Sequence, residues 1–145
     1  MIVLDTSVLV YAVGGEHRLA GPCRQLIDAV ASGRVQATTT PEAIQEFVHV
    51  RARRRTRKDA ATLGRTYADL LSPLLTIDGE ILSAGLRLFE RTKRVGAFDA
   101  VLAATAIAVD ADALVSTDAS FAEVKSLTWW DPSGPGVIRL LTEGR

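Results

Sequence analysis

Apolar residues fall in short runs that switch between a continuous pattern and a helical one along the chain. Ile2-Val3-Leu4 is unbroken and stops at Asp5, the pattern of a buried strand that delivers an acid to the rim of a sheet. Val8 to Val13 stays apolar up to Gly14-Gly15, which predicts a short helical turn closed by a corner. Gly21-Pro22 suits a helix start; Leu26, Ile27 and Val30 follow at helical spacing, and Ser32-Gly33 closes the segment. Val35 to Thr40 has strand propensity and runs into Pro41, so Thr40 is expected to cap a helix that buries Ile44, Phe47 and Val48.

Further on, the pattern predicts a helix over Asp59 to Leu71 and a third short strand over Leu74 to Ile77. A helix over Asp78 to Thr92 should turn Ile81, Leu82, Leu86, Leu88 and Phe89 inward. Ala100 to Val109 has almost no polar face, which makes it a helix covered on most sides. Ala113 to Thr117 leads to Asp118, a second strand closed by an acid, and Trp129-Trp130 would form a fifth strand or an edge. The loop 131–136 ends regular structure, and Val137 to Leu141 is an apolar tail that docks on the domain or on a second copy.

Strands alternating with helices predict an α/β fold, a parallel sheet covered on both faces, with all strand C-terminal ends on one rim. The 145 residues suit a single domain over 1–145. Lys plus Arg equals Asp plus Glu at 17 each, so a nucleic-acid signal has to be local. One is present: six basic residues stand between Arg51 and Lys58. On composition alone such a run is a solvated helix end. The longest apolar stretch is about half of the roughly 20 residues that a membrane helix needs. The single Cys23 and the uncharged start, with no basic leader region, fit a reducing cytosol.

The chemistry lies in the acids. Asp5 and Asp118 close strands, Asp99 opens a helix, and Glu46 lies one turn into a helix that begins at the same rim. Each alone has an ordinary use: Asp5, Asp99 and Asp118 as helix caps, Glu46 as a solvated side chain. Together they form a cluster whose repulsion calls for a cation, and oxygen ligands without His or Cys favour Mg²⁺ or Mn²⁺. Hydrolysis of a phosphodiester is the natural use of such an ion. Glu42, four residues before Glu46, shares its helix face, and periodicity does not separate the two. His17 and His49 have no partner that marks them as general bases.

Leu4-Asp5-Thr6-Ser7, Glu46-Phe47, Phe98-Asp99-Ala100 with Ala103-Ala104, and Leu114-Val115-Ser116-Thr117-Asp118 with Phe121 resemble the PIN-domain ribonucleases, in particular the VapC toxins of bacterial toxin-antitoxin pairs. The resemblance implies a three-layer α/β/α sandwich and Mg²⁺-dependent RNA cleavage. It also implies a small antitoxin partner, a homodimer and a cytoplasmic location. By position it makes Asp5 and Asp99 the main metal ligands, with Glu46 and Asp118 completing the catalytic acids directly or through water. Glu46 is preferred to Glu42 because the family's acid directly precedes an apolar residue, here Phe47. Thr6 and Thr117 would be supporting hydroxyls, and the basic run, with Arg91, Lys93 and Arg94, would contact the RNA backbone. A receiver-like or phosphatase-like domain fits less well, since position 7 is Ser where a second acid is needed. A PIN-like module kept only for protein binding would not need the complete acid set.

Overall fold

The computed structural model describes residues 1–143. Four parallel strands form the sheet: β1 (Ile2–Leu4), β2 (Ala37–Thr38), β3 (Ala113–Val115) and β4 (Trp129–Trp130), in the order β2-β1-β3-β4. Seven α-helices surround it: α1 (Thr6–Val13), α2 (Ala20–Ala31), α3 (Pro41–Ala52), α4 (Arg57–Leu70), α5 (Gly79–Arg91), α6 (Ala97–Ala108) and α7 (Pro135–Glu143). A 3₁₀ turn spans Ala119–Glu123. The register Ile2 to Ala113, Val3 to Leu114 and Leu4 to Val115 makes the first strand and the third true neighbours.

Alternation of side chains across the pleat divides the core in two. Ile2, Leu4, Ala113 and Val115 enter one cluster with Val8, Leu9, Leu26, Phe47 and Tyr67, on the side of α1 to α4. Val3 and Leu114 enter the other with Ala100, Leu102, Ala103, Ala106 and Phe121. The chain is therefore the three-layer α/β/α arrangement anticipated from its pattern. Tyr67 closes the first cluster without an orphaned hydroxyl, since its Oη donates to the Leu9 carbonyl at 3.0 Å. Thr40 caps α3 as expected, accepting the Ala43 N–H at 3.1 Å.

Three expectations fail, wholly or in part, for physical reasons. Leu74 to Ile77 is no strand: apart from the Leu75 N–H to Thr39 carbonyl bond of 2.9 Å no ladder forms, and the segment only covers the edge beyond β2. Trp129-Trp130 is consequently the fourth strand, and an edge. The stripe of α5 turns inward only in part: Ile81 and Leu88 are half-buried, Leu88 against the second cluster, but the helix approaches α6 through Gly85, its one buried residue, leaving Leu82, Leu86 and Phe89 each 46% exposed. Regular structure does not end at the loop, because Pro135–Glu143 forms the helix α7; the expected docking of Val137 to Leu141 on the domain does hold, with Gly136 flat against the Trp130 ring, Val137 fully buried and Leu140 and Leu141 packed on the first cluster. The apolar helix α6 is buried or half-buried from Asp99 through Ala106, as its composition requires, and is exposed at its start, at Ala97 and Phe98, and again from Ile107 onward.

The α5–α6 contact sets one wall of the cleft described below. A Cβ at Gly85 would lie 2.7 Å from the Val101 Cα, a backbone atom that no rotamer change can move. Gly85→Ala should therefore destabilise the protein by roughly 1–2 kcal/mol, the overpacking cost less the gain in helix propensity. Gly79→Ala, with nothing within 4 Å of its Cβ, should not. Thermal denaturation of the two variants checks this.

Candidate active site

Asp5 leaves the end of β1 directly into α1, so a buried carboxylate, 7% exposed, stands at the C-terminal rim of the sheet. Although Asp5 occupies the N-cap position, its side chain makes no capping bond. Its Oδ2 instead accepts the Ser7 hydroxyl at 2.8 Å and the Ser116 hydroxyl at 2.7 Å, while Oδ1 has no protein donor among the described residues. Ser116 follows Val115, the register partner of Leu4, so strand pairing alone brings its hydroxyl beside Asp5. The Asp118 N–H bonds the Ser116 Oγ at 3.0 Å and the Thr117 N–H bonds the Ser7 Oγ at 3.1 Å. One network thus joins the turns after β1 and β3.

The supporting hydroxyls are Ser7 and Ser116 and not the two threonines. Thr6 donates to the Ala43 carbonyl at 3.1 Å, tying α1 to α3, and Thr117 enters the network through its backbone. The signal was the spacing: Asp5-Thr6-Ser7 and Ser116-Thr117-Asp118 each place a hydroxyl and a carboxylate two residues apart, and the register sets the first residue of one beside the first of the other.

Asp118 does not close β3, which ends at Val115. It stands three residues beyond, exposed, and caps the 3₁₀ turn by accepting the Ser120 N–H at 2.9 Å. Asp99 is the third residue of α6, half-buried, with Gly96 as the cap. Glu46 is exposed on α3. A cleft of about 630 Å³ opens over Asp5, Glu46 and Asp99, with Glu42 and His49 also on its α3 wall. The opposite wall is apolar, formed by Ile77, Leu82, Leu86 and Phe98, the last 83% exposed. His49 and this apolar wall were not legible as parts of the site.

Burial pushes the Asp99 carboxyl up to about 7, and the charges of Asp5, Asp118 and Glu46 add to the rise. Four carboxylates therefore share one electrostatic neighbourhood, and Glu42 is not among those acting on Asp99. Among the described residues no three such side chains are drawn together closely enough to hold an ion as they stand. Like charges in such a group repel, which a cation would offset, and Glu46 and Asp118 are exposed. The donor set is all oxygen, which fits Mg²⁺ or Mn²⁺.

The PIN domain family profile matches residues 2–127. The chain belongs to the PIN-domain family. Within it, the chain is 53% identical over 142 residues to Ribonuclease VapC7 of Mycobacterium tuberculosis (strain ATCC 25618 / H37Rv), covering 97% of this chain and 98% of that protein. Ribonuclease VapC23 of the same species is 33% identical over 73 residues, 48% of this chain and 58% of its own length. The PIN fold is seen too in a crystal structure of VapBC2 from Rickettsia felis bound to a DNA fragment from their promoter, with a TM-score of 0.70, 16% identity, and coverage of 90% of this chain and 98% of the other.

Around this PIN-domain site the remaining sequence features divide. Arg51 is a structural brace, paired with Asp59 at 2.8 Å and donating to the Val13 carbonyl at 3.3 Å, so it is not free for a ligand. Arg53, Arg54, Arg55, Arg57 and Lys58 are exposed, as are Arg91, Lys93 and Arg94. Cys23 is buried, and desolvation, with the charge of Asp131 behind it, pushes its thiol up to about 12, which makes it inert.

The Asp99 shift has a signed consequence for stability. Its carboxyl titrates near 3.8 when free and near 7 in the fold, so between those values the folded state holds a proton that the unfolded chain has released. Stability then falls as pH rises through that window. The side chain is partly open to water, and screening reduces the effect to about 1 kcal/mol. Asp99→Asn removes it. In EDTA the variant should melt about 2–4 °C above the wild type at pH 8, and the difference should vanish near pH 4.

Proposed function

We propose that this chain is the toxin of a toxin-antitoxin pair: a Mg²⁺-dependent endoribonuclease, also served by Mn²⁺, that a small antitoxin holds inactive. The observation that carries this reading is the coupling of Asp99 to Asp5, Asp118 and Glu46 at one sheet rim, in a chain 53% identical over nearly its whole length to a protein named as a ribonuclease. By the same reading it works in the cytoplasm as a homodimer. No helix among the described residues is long and apolar enough to cross a membrane.

Asp5 and Asp99 would hold the ion, with Glu46 and Asp118 completing the set directly or through water. A bound divalent cation supplies a lowered pKa for the attacking water and positive charge against the charge that develops on the phosphate oxygens. Ser7 and Ser116 hold Asp5 in one rotamer by occupying Oδ2, which keeps Oδ1 for ligation. Glu46, exposed on the cleft wall, would take the proton of the attacking water. In the net reaction the water oxygen bonds phosphorus, one P–O ester bond breaks, and a proton ends on the departing oxygen. The exposed basic residues from Arg53 to Lys58, with Lys93 and Arg94, would contact backbone phosphates without reading sequence.

The purified protein should cleave RNA in Mg²⁺ and stop in excess EDTA, and Asp5→Asn or Asp99→Asn should slow it by about 100-fold or more, as loss of a ligand does. In cells, growth arrest on expression should be relieved by co-expressing the product of the adjacent small open reading frame. Cleavage that persists unchanged in EDTA or in Asp5→Asn would overturn the proposal.

A further inference from the structure

Glu123 joins the two segments that carry Asp99 and Asp118. Its Oε2 accepts the Lys93 N–H at 2.7 Å and its Oε1 accepts the Arg94 N–H at 3.0 Å. Consecutive amides bonded to the two oxygens of one carboxylate fix a loop in orientation as well as position. The two amides, Arg94's first, hold the Glu123 carboxyl below its ordinary value.

Both ends of this contact lead straight to the acids. On one side the 3₁₀ turn runs from Glu123 back to Asp118, which caps it and whose own N–H is held by Ser116. On the other side the loop passes through Val95, 3% exposed, to Gly96, the cap of α6, with Asp99 three residues further on. Ser116 in turn bonds Asp5. The result is a connected path from Asp5 through Ser116, Asp118, Glu123 and the loop 93–96 to Asp99. The packing of Val95 with Phe121 and Val124 in the second core cluster sets the distance between the segments; only Glu123 sets their rotation by directional bonds among the contacts described.

We propose that Glu123 is a positioning residue for the metal-binding acids: it fixes the start of α6 relative to the Asp118 turn and thereby the separation of Asp99 and Asp118. It touches neither substrate nor ion. The inference rests on the metal-dependent reading above. Residues that orient ligands from outside the coordination sphere typically change metal affinity or turnover by about 10–100-fold when removed.

The test compares wild type, Glu123→Ala and Glu123→Gln by calorimetric titration with Mn²⁺, by steady-state RNA cleavage and by thermal melting. Glu123→Ala should lower Mn²⁺ affinity and kcat about tenfold with KM for RNA unchanged, and Glu123→Gln, which keeps one acceptor oxygen, should fall between. Amide exchange at Lys93 and Arg94 should quicken in Glu123→Ala. Wild-type Mn²⁺ affinity in Glu123→Ala would overturn the proposal. So would a change confined to KM, which would make the loop an RNA contact only, or losses that merely follow a fall in melting temperature. A wild type that neither binds Mn²⁺ nor cleaves RNA would instead overturn the reading of function on which this one stands.

Discussion

Leu4 pairs with Val115, and that single register fixes where the chemistry can be. It puts Asp5 beside Ser116, so that one carboxylate oxygen collects two hydroxyl donors and the turns after β1 and β3 become one hydrogen-bonded unit. A slip of one residue would turn Val3 and Leu114 to the wrong layers and break every one of these bonds. The apolar core and the acidic site are thus held by the same ladder, and neither can shift without the other.

The site works against the fold that carries it. Asp99 is half-buried beside three other carboxylates, and its ionisation in the metal-free protein is opposed by burial and by each of those charges. Two fully buried apolar layers around short strands, with Phe47 edge-on to Tyr67 at 4.9 Å in one of them, provide the stability against which such a cluster can be kept. Clustered like charges retained at a strand rim make sense as a functional arrangement, because a cation reverses the sign of the interaction.

Much of this was legible in the residues. The apolar runs of β1 and β3, the Thr40-Pro41 helix start and the apolar α6 each depend on local pattern, and local pattern predicts them. Asp5, Glu46, Asp99 and Asp118 could be gathered on paper because a parallel sheet sends its strand ends to one rim; their roles at the metal remain as proposed. What was hidden depended on contacts distant in sequence. The segment Leu74 to Ile77 has strand composition but meets only the end of a two-residue edge strand. The stripe of α5 reads as buried, yet a glycine, not its leucines, makes the close approach to α6. Thr6 and Thr117 sit nearest the acids in sequence, while register hands the supporting role to Ser7 and Ser116. Glu123 gives no signal at all from sequence, since its partners lie 29 and 30 residues away.

The central claim is that Asp99 and its neighbours form one divalent-cation site in which the ion displaces a proton. Calorimetric titration with Mn²⁺ in buffers of different ionisation enthalpy measures that displacement directly. With Asp99 titrating near 7, binding should release about half a proton per ion at pH 7, more at pH 6 and little at pH 8, and the release should disappear in Asp99→Asn. Binding without proton release at any of these pH values, or no binding at all, would contradict the account.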